Sequence, residues 1–176
     1  MIEGKFLNIR HVRKSDLDKL IPLLNNLSLR GDYSPLGMMS PHKIESNFEK
    51  DGMSTEERER LLIVDKQDQI IGMLWHFKSV PYFNSREIGY QVFPVDHRNK
   101  GYASEAVTLL AAYLFNTQMI NRLEIRTDTR NTASEKVAIK CGFQKEGIAR
   151  EAFFERGRHV DLFLYSLLRS EWEDRA

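Results

Sequence analysis

One stretch constrains the fold of this chain more than any other. The run REIGYQVF (86–93) reads as a strand and stops at Pro94. A basic turn containing Gly101 follows, and then an alanine-rich helix from about Tyr102 to Thr117. Ala103, Val107, Leu110 and Leu114 recur at spacings of four, three and four, which puts them on one helix face. RLEIRTD (122–128) then alternates polar and apolar residues, the pattern of a half-buried strand. A strand–helix–strand unit is therefore set into the middle of the chain, with a punctuated basic turn at the helix start.

The flanking segments are strands for the most part. FLNIRHVR (6–13) reads as a first strand, followed by a helix that Ser15 can cap, with Leu17, Leu20, Ile21 and Leu24 as its apolar stripe. PHKIESNFEKDGM reads as a second, short helix. Before it, the irregular stretch with Tyr33, Leu36, Met38 and Met39 suits either a substrate-facing loop or an ordinary connector. RLLIVDK (60–66) and QIIGMLWHFKSV (69–80) flank a short turn in a hairpin pattern. After the second strand of the central unit, TASEKVAIK (132–140) reads as a helix stopped at Gly142, and strands around FQKEGIARE and HVDLFLYSLL end the chain. The order is that of a mixed α/β (α+β) domain with seven expected strands.

Bulk properties exclude several function classes. With 176 residues, 41% of them hydrophobic, the default is a single domain over 1–176. Lys and Arg number 26 against 25 Asp and Glu, so a nucleic-acid partner held by bulk charge is not expected. The single cysteine, Cys141, leaves no intramolecular disulfide and suits a reducing compartment. No signal-like segment opens the chain, and no run approaches the roughly 18 apolar residues of a membrane span. A soluble, cytoplasmic protein with no membrane partner is the expectation.

The basic turn is a candidate anion site. A helix N-terminus presents unpaired N–H groups and a partial positive charge, and a glycine lets the backbone approach an oxyanion closely. Arg98, Asn99, Lys100, Gly101, Tyr102 and Ala103 thus form a candidate pyrophosphate cradle, with a solvated basic turn as the plainer reading. Neither the P-loop pattern nor the dinucleotide fingerprint is present. The five histidines show no metal-ligand spacing, so no metal is expected, and Cys141 reads as a buried structural thiol.

These residues resemble a known family. Arg98-x-x-Gly101-x-Ala103, preceded by EIGYQVFP and followed by SEAV, is similar to a motif of the GCN5-related N-acetyltransferase (GNAT) superfamily. NRLEIRTDTRNTASEKVAIKCGF and the closing DLFLYSLLRSEW resemble the branch that acetylates ribosomal-protein N-termini. The resemblance runs from about Phe6 to Trp172. It implies a twisted, mostly antiparallel sheet splayed between its fourth and fifth strands. It also implies acetyl-coenzyme A (acetyl-CoA) as donor and a primary amine as acceptor: a protein N-terminus or a small molecule.

Site residues follow from the resemblance. Backbone groups of Gln91, Val92 and Phe93 are expected to pair with the pantetheine arm at the splayed edge, and one N–H to serve the tetrahedral intermediate. Glu87, in phase with Gly89, Gln91 and Phe93, is the candidate base; pairing with Arg86 or a neighbour is its structural alternative. Ser134 is the candidate acid toward the thiolate, since the tyrosine that many relatives carry on this helix is absent between Asn131 and Gly142. Asn131 is expected on the pantetheine arm or as a helix cap, beside a Thr132–Glu135 capping box. Lys136 is a candidate for the 3′-phosphate, and Lys140 reads as solvated surface. Tyr33, Trp75, His76, Tyr90 and Phe154 are candidates for the acceptor side. A monomer or homodimer is expected. The alternative is a non-catalytic acyl-CoA-binding module of the same fold.

Overall fold

In chain order the strands are β1 (Ile2–Glu3), β2 (Asn8–His11), β3 (Arg58–Val64), β4 (Ile70–Phe77), β5 (Ser85–Val92), β6 (Arg122–Asp128), β7 (Gln144–Glu155) and β8 (Arg158–Leu168). The helices are α1 (Leu17–Asn25), α2 (Pro41–Asp51), α3 (Tyr102–Thr117), α4 (Thr132–Lys140) and α5 (Arg169–Glu173). The computed structural model describes residues 1–93 and 100–175. Among them the strands form one sheet in the order β1-β2-β3-β4-β5-β6-β8-β7. Neighbours are antiparallel except β5 and β6, which the α3 crossover joins in parallel. The eighth strand, beyond the seven expected, is the two-residue β1, folded back onto β2 around Gly4.

Period-two alternation sorts the central strands onto two faces. Leu61, Ile63, Leu74, Ile88 and Ile125 pack against Val107, Leu110 and Leu114 of α3 and Ala138 of α4. Leu62, Val64, Met73 and Phe93 pack against Leu17 and Leu20 of α1 and Ile44 of α2. Burying each of these large apolar side chains contributes about 1.5–3 kcal/mol, so both helix layers are held firmly to the sheet.

The parallel pair is short. Ser85, Arg86 and Glu87 pair with Arg122, Leu123 and Glu124, and the pairing stops there. β5 runs on to Val92 against β4 alone, while β6 runs on to Asp128 against β8 alone. The sheet is thus open between β5 and β6 beyond Glu87. Helix α4 lies by this opening on the α3 side, where Tyr90 of β5 reaches Ser134.

Two expected helix starts differ in detail. Ser15 caps nothing: Lys14–Asp16 form a 3-10 turn, and α1 begins at Leu17. Asp16 instead accepts the Arg13 N–H at 2.7 Å and holds Arg10 through two contacts, because a buried carboxylate needs a charged partner. At α4 the cap is Asn131, whose Oδ1 accepts the Ser134 N–H at 3.1 Å. The Thr132–Glu135 box does not form, since Glu135 is taken by Lys145 and Tyr165.

Candidate functional site

The opening gives the site its two sides. Phe93 N–H donates to Ile71 O at 3.0 Å, so the main-chain groups of Phe93 point to β4. Successive residues of a strand present their N–H and C=O to alternate sides, so those of Gln91 and Gly89 also face β4. Ile88, Tyr90 and Val92 then turn theirs to the open edge. This corrects the expected trio: of Gln91, Val92 and Phe93, only Val92 faces the gap, and Phe93 is a fully buried core residue.

Side chains divide by the same register. Ile88 is core on the α3 side, and Tyr90 shares its face. Tyr90 Oη lies 2.7 Å from Ser134 Oγ, which bridges strand and helix across the gap. Burial pushes the Tyr90 phenol well above its ordinary range, so it stays a proton-bearing hydroxyl. Tyr90 was expected on the acceptor side; the register puts it on the face opposite Glu87. His76 is corrected in the same way. It pairs with Ile88, is 1% exposed, and its Nε2 lies 2.9 Å from Glu59 Oε2, so it is a core histidine.

The α3 start carries the expected backbone. Gly101 caps the helix at φ +82°, a left-handed conformation that favours glycine. Among the described residues, a Cβ at Gly101 would meet only Lys140 Nζ, at 3.8 Å, so an ammonium lies beside this backbone. Lys140, read from sequence as plain surface, is therefore next to the cradle, because α4 docks on α3 through Cys141 Sγ and the Ser104 carbonyl at 3.3 Å. Burial raises the Cys141 thiol pKa, in keeping with a packing role. Lys100 and Lys136 are exposed, and Tyr102 and Ala103 form the first turn. Arg98 and Asn99 lie outside the described residues.

On the α1/α2 side sit Glu87, Gly89 and Gln91, with Trp75 and Phe77 beside them on β4. Trp75 is paired with Gly89, and its indole lies flat over it: a Cβ at residue 89 would come within 2.3 Å of the ring. Glu87 is the first member of a charge chain along this face. Its Oε2 lies 3.5 Å from Arg126 Nη1, and Arg126 Nη2 is 3.2 Å from Glu124 Oε2. Arg122 joins Glu124 and Glu146, each at 2.7 Å. Burial pushes the Glu87 pKa up, Arg126 pulls it down and Glu124 pushes it up again, leaving it above the ordinary carboxylate value. Of the sequence alternative, pairing with Arg86 or a neighbour, the second half is met by Arg126, while Arg86 donates to main-chain carbonyls of Ser85 and Glu56.

The other acceptor-side candidates lie further out. Tyr33 stacks on the Arg130 guanidinium at 5.4 Å, next to the β7–β8 hairpin whose Arg156 bonds Gly31 O. Phe154, 61% exposed, meets His159 edge-on within that hairpin and touches neither Glu87 nor Trp75. Among the described residues no cluster of three or more His, Cys, Asp or Glu is arranged to hold a metal. No helix among them is long and apolar enough to cross a membrane.

A mostly antiparallel sheet that opens between its one parallel pair, with a glycine-capped helix fed by the strand at the opening, defines the N-acetyltransferase class. Residues 7–144 match the family model of the acetyltransferase (GNAT) domain. The chain belongs to that family. It is 38% identical over 112 residues to the uncharacterized N-acetyltransferase p20 of Bacillus licheniformis, a match spanning 63% of this chain and 62% of that protein. It is 27% identical over 107 residues to the ribosomal-protein-serine acetyltransferase of Escherichia coli, spanning 61% of this chain and 59% of that one. A crystal structure of spermidine N-acetyltransferase from Vibrio cholerae, in complex with CoA and spermine, superposes with a TM-score of 0.83 at 22% identity, covering 97% of this chain and 99% of that one.

Proposed function

We propose that this protein moves the acetyl group of acetyl-CoA onto a primary amine, by direct attack within a ternary complex. The observation that carries this reading is the opening past Glu87, with a carboxylate on one face and a hydroxyl pair on the other. Only a path through the sheet lets a base and an acid reach one thioester from opposite sides.

Each group then has a role. The α3 N-terminus with Gly101, Lys100 and Lys140 takes the pyrophosphate, where dipole and ammonium charge add. The edge groups of Ile88, Tyr90 and Val92 hold the amide-bearing arm as an added strand would, and Asn131 has its Nδ2 left for the same arm. An N–H at this edge stabilises the oxyanion of the tetrahedral intermediate. Glu87 takes the proton of the incoming ammonium, directly or through water; an α-amine with a pKa near 8 needs this less than an alkylamine near about 10.4. The thiolate leaves readily, and Ser134, held by Tyr90, returns a proton to it. No covalent enzyme intermediate is needed. The acceptor is a protein N-terminal α-amine or a small amine, in line with relatives named for ribosomal protein and for spermidine. We read the chain as one domain, a monomer or homodimer working in the cytoplasm.

A free-thiol release assay with acetyl-CoA against peptides, amino acids, amino sugars and polyamines tests the reading. Thiol release that depends on one amine class and falls by about 10²–10⁴-fold in Glu87→Gln is expected. Tight coenzyme binding with no release across the panel would instead make the protein an acyl-CoA-binding module.

A further inference from the structure

On the face of Glu87 lies a cavity of about 460 Å³ between the C-terminal end of α2 and strands β3 and β4. Its apolar walls are Met53, Trp75 and Phe77. Phe77 is the direct partner of Glu87 across β4 and β5, so cavity and candidate base share a floor. Arg60, paired with Trp75 on β3, shares this face and lines the cavity.

Arg60 is the unusual group. It is half-buried, yet among the described residues its guanidinium makes no hydrogen bond or ion pair, although it carries five N–H donors. The nearby acid, Asp51, is engaged by Arg58 at 3.6 Å. Burial and the neighbouring Arg58 charge both disfavour the Arg60 cation, and Asp51 offsets them only in part. A half-buried cation normally has a carboxylate or carbonyl against it. Elsewhere on the face Glu124 is matched by Arg122 and Arg126, and Asp128 by Arg130. The cavity is also lined by Asp51, Glu57 and Glu59, yet among the described residues none of them meets the Arg60 guanidinium, which leaves its donors open to an incoming anion.

Resting on the acetyl-transfer reading above, we infer that this cavity binds a carboxylate of the acceptor, so the amine acetylated belongs to an amino-acid-like molecule. The planar fork of an arginine matches a carboxylate bidentately, and apolar walls strengthen the pair by excluding water. Two strand spacings, roughly 10 Å, separate Arg60 from the strand of Glu87. A short chain between amine and carboxylate would bridge the two. The two charged ends would fix which amine reaches the thioester.

The test uses full-length protein and matched probes: ω-amino acids with one to about five methylenes, their primary amides, and spermidine. Thiol release is expected to favour at least one carboxylate over its amide by about 10- to 100-fold in kcat/KM, the worth of a charge-assisted hydrogen bond. Arg60→Gln should erase that preference while leaving KM for acetyl-CoA and for the amides within about two-fold, and Arg60→Lys should retain part of it. Equal turnover of acids and amides, a preference for spermidine, or an intact preference in Arg60→Gln overturns the inference. Should no probe release thiol, the transfer reading fails separately. Calorimetric binding of the same ω-amino acids then decides: weaker binding to Arg60→Gln than to wild type supports the cavity, and equal or undetectable binding to both rejects it.

Discussion

The two faces of the sheet meet at the same opening and are built on different principles. The α3/α4 face offers main chain: a left-handed glycine, a helix start, edge amides of β5, and a Tyr90–Ser134 pair linked at 2.7 Å. The α1/α2 face offers side chains: a charge chain, an indole laid over a glycine, and an arginine without a partner. A co-substrate common to a whole family is suited to recognition by backbone, which substitution changes little. An acceptor that differs between members is suited to side chains, which substitution changes at once.

Five substitutions probe the two faces, the largest effect first. Glu87→Gln is expected to lower kcat by about 10²–10⁴-fold with KM for acetyl-CoA little changed, the cost of losing a positioned base. Its remaining activity should rise only where the amine itself loses its proton, so the pH profile moves upward. A steady-state profile identical to wild type would remove Glu87 from the chemistry.

Gly101→Val touches only the other face. Its φ of +82° is strained for a β-branched residue by about 1–3 kcal/mol, so KM for acetyl-CoA should rise roughly 5- to 100-fold while acceptor KM holds. Equal losses on both substrates would mean that the faces are not independent. Gly89→Ala is the counterpart. Its new methyl meets Trp75 at 2.3 Å, so the indole must lift, costing about 1–3 kcal/mol of stability and raising acceptor KM more than coenzyme KM. Thermal melts and paired KM measurements check it.

The smallest effects concern the charges around the base. As the proposed base, Glu87 would act deprotonated, so activity is expected to climb with pH through its raised pKa. Arg126→Gln removes a group that lowers that pKa and should move the acid limb to higher pH. Glu124→Gln removes one that raises it and should move the limb lower. Shifts of about one unit or less are expected for partly exposed pairs, and kcat/KM profiles resolve them. Shifts in the same direction would break the assigned order of charges.

The coenzyme face was the more legible in the sequence, for the same reason that it is built from backbone. A glycine between a strand and a helix, and an Asn–Thr–Ala–Ser helix start, are local signals, and Gly101 and Asn131 stand where those signals put them. Which β5 amides face the gap was not local: it depends on where pairing to β6 ends, a contact between residues far apart in the chain. Tyr90 and His76 were misassigned because an aromatic residue in a strand carries no mark of its face until the register is known. Arg60 gave no signal at all. One arginine in RERLLIV resembles any other, and only the fold withholds its partner.

The chain of charges from Glu87 to Glu146 holds three carboxylates around two guanidiniums. Its ends differ sharply. Glu146, bonded to Arg122 and Ser166, is held down to about 2, whereas burial lifts Glu87 above the usual value. The stabilisation from Glu146 is complete above the ordinary glutamate range and fades as pH falls through about 2, so the outer end keeps its charge in mild acid. A single proton arriving at this row therefore settles at the inner end, beside the opening. Protein architecture has in effect decided the address of that proton before any amine arrives.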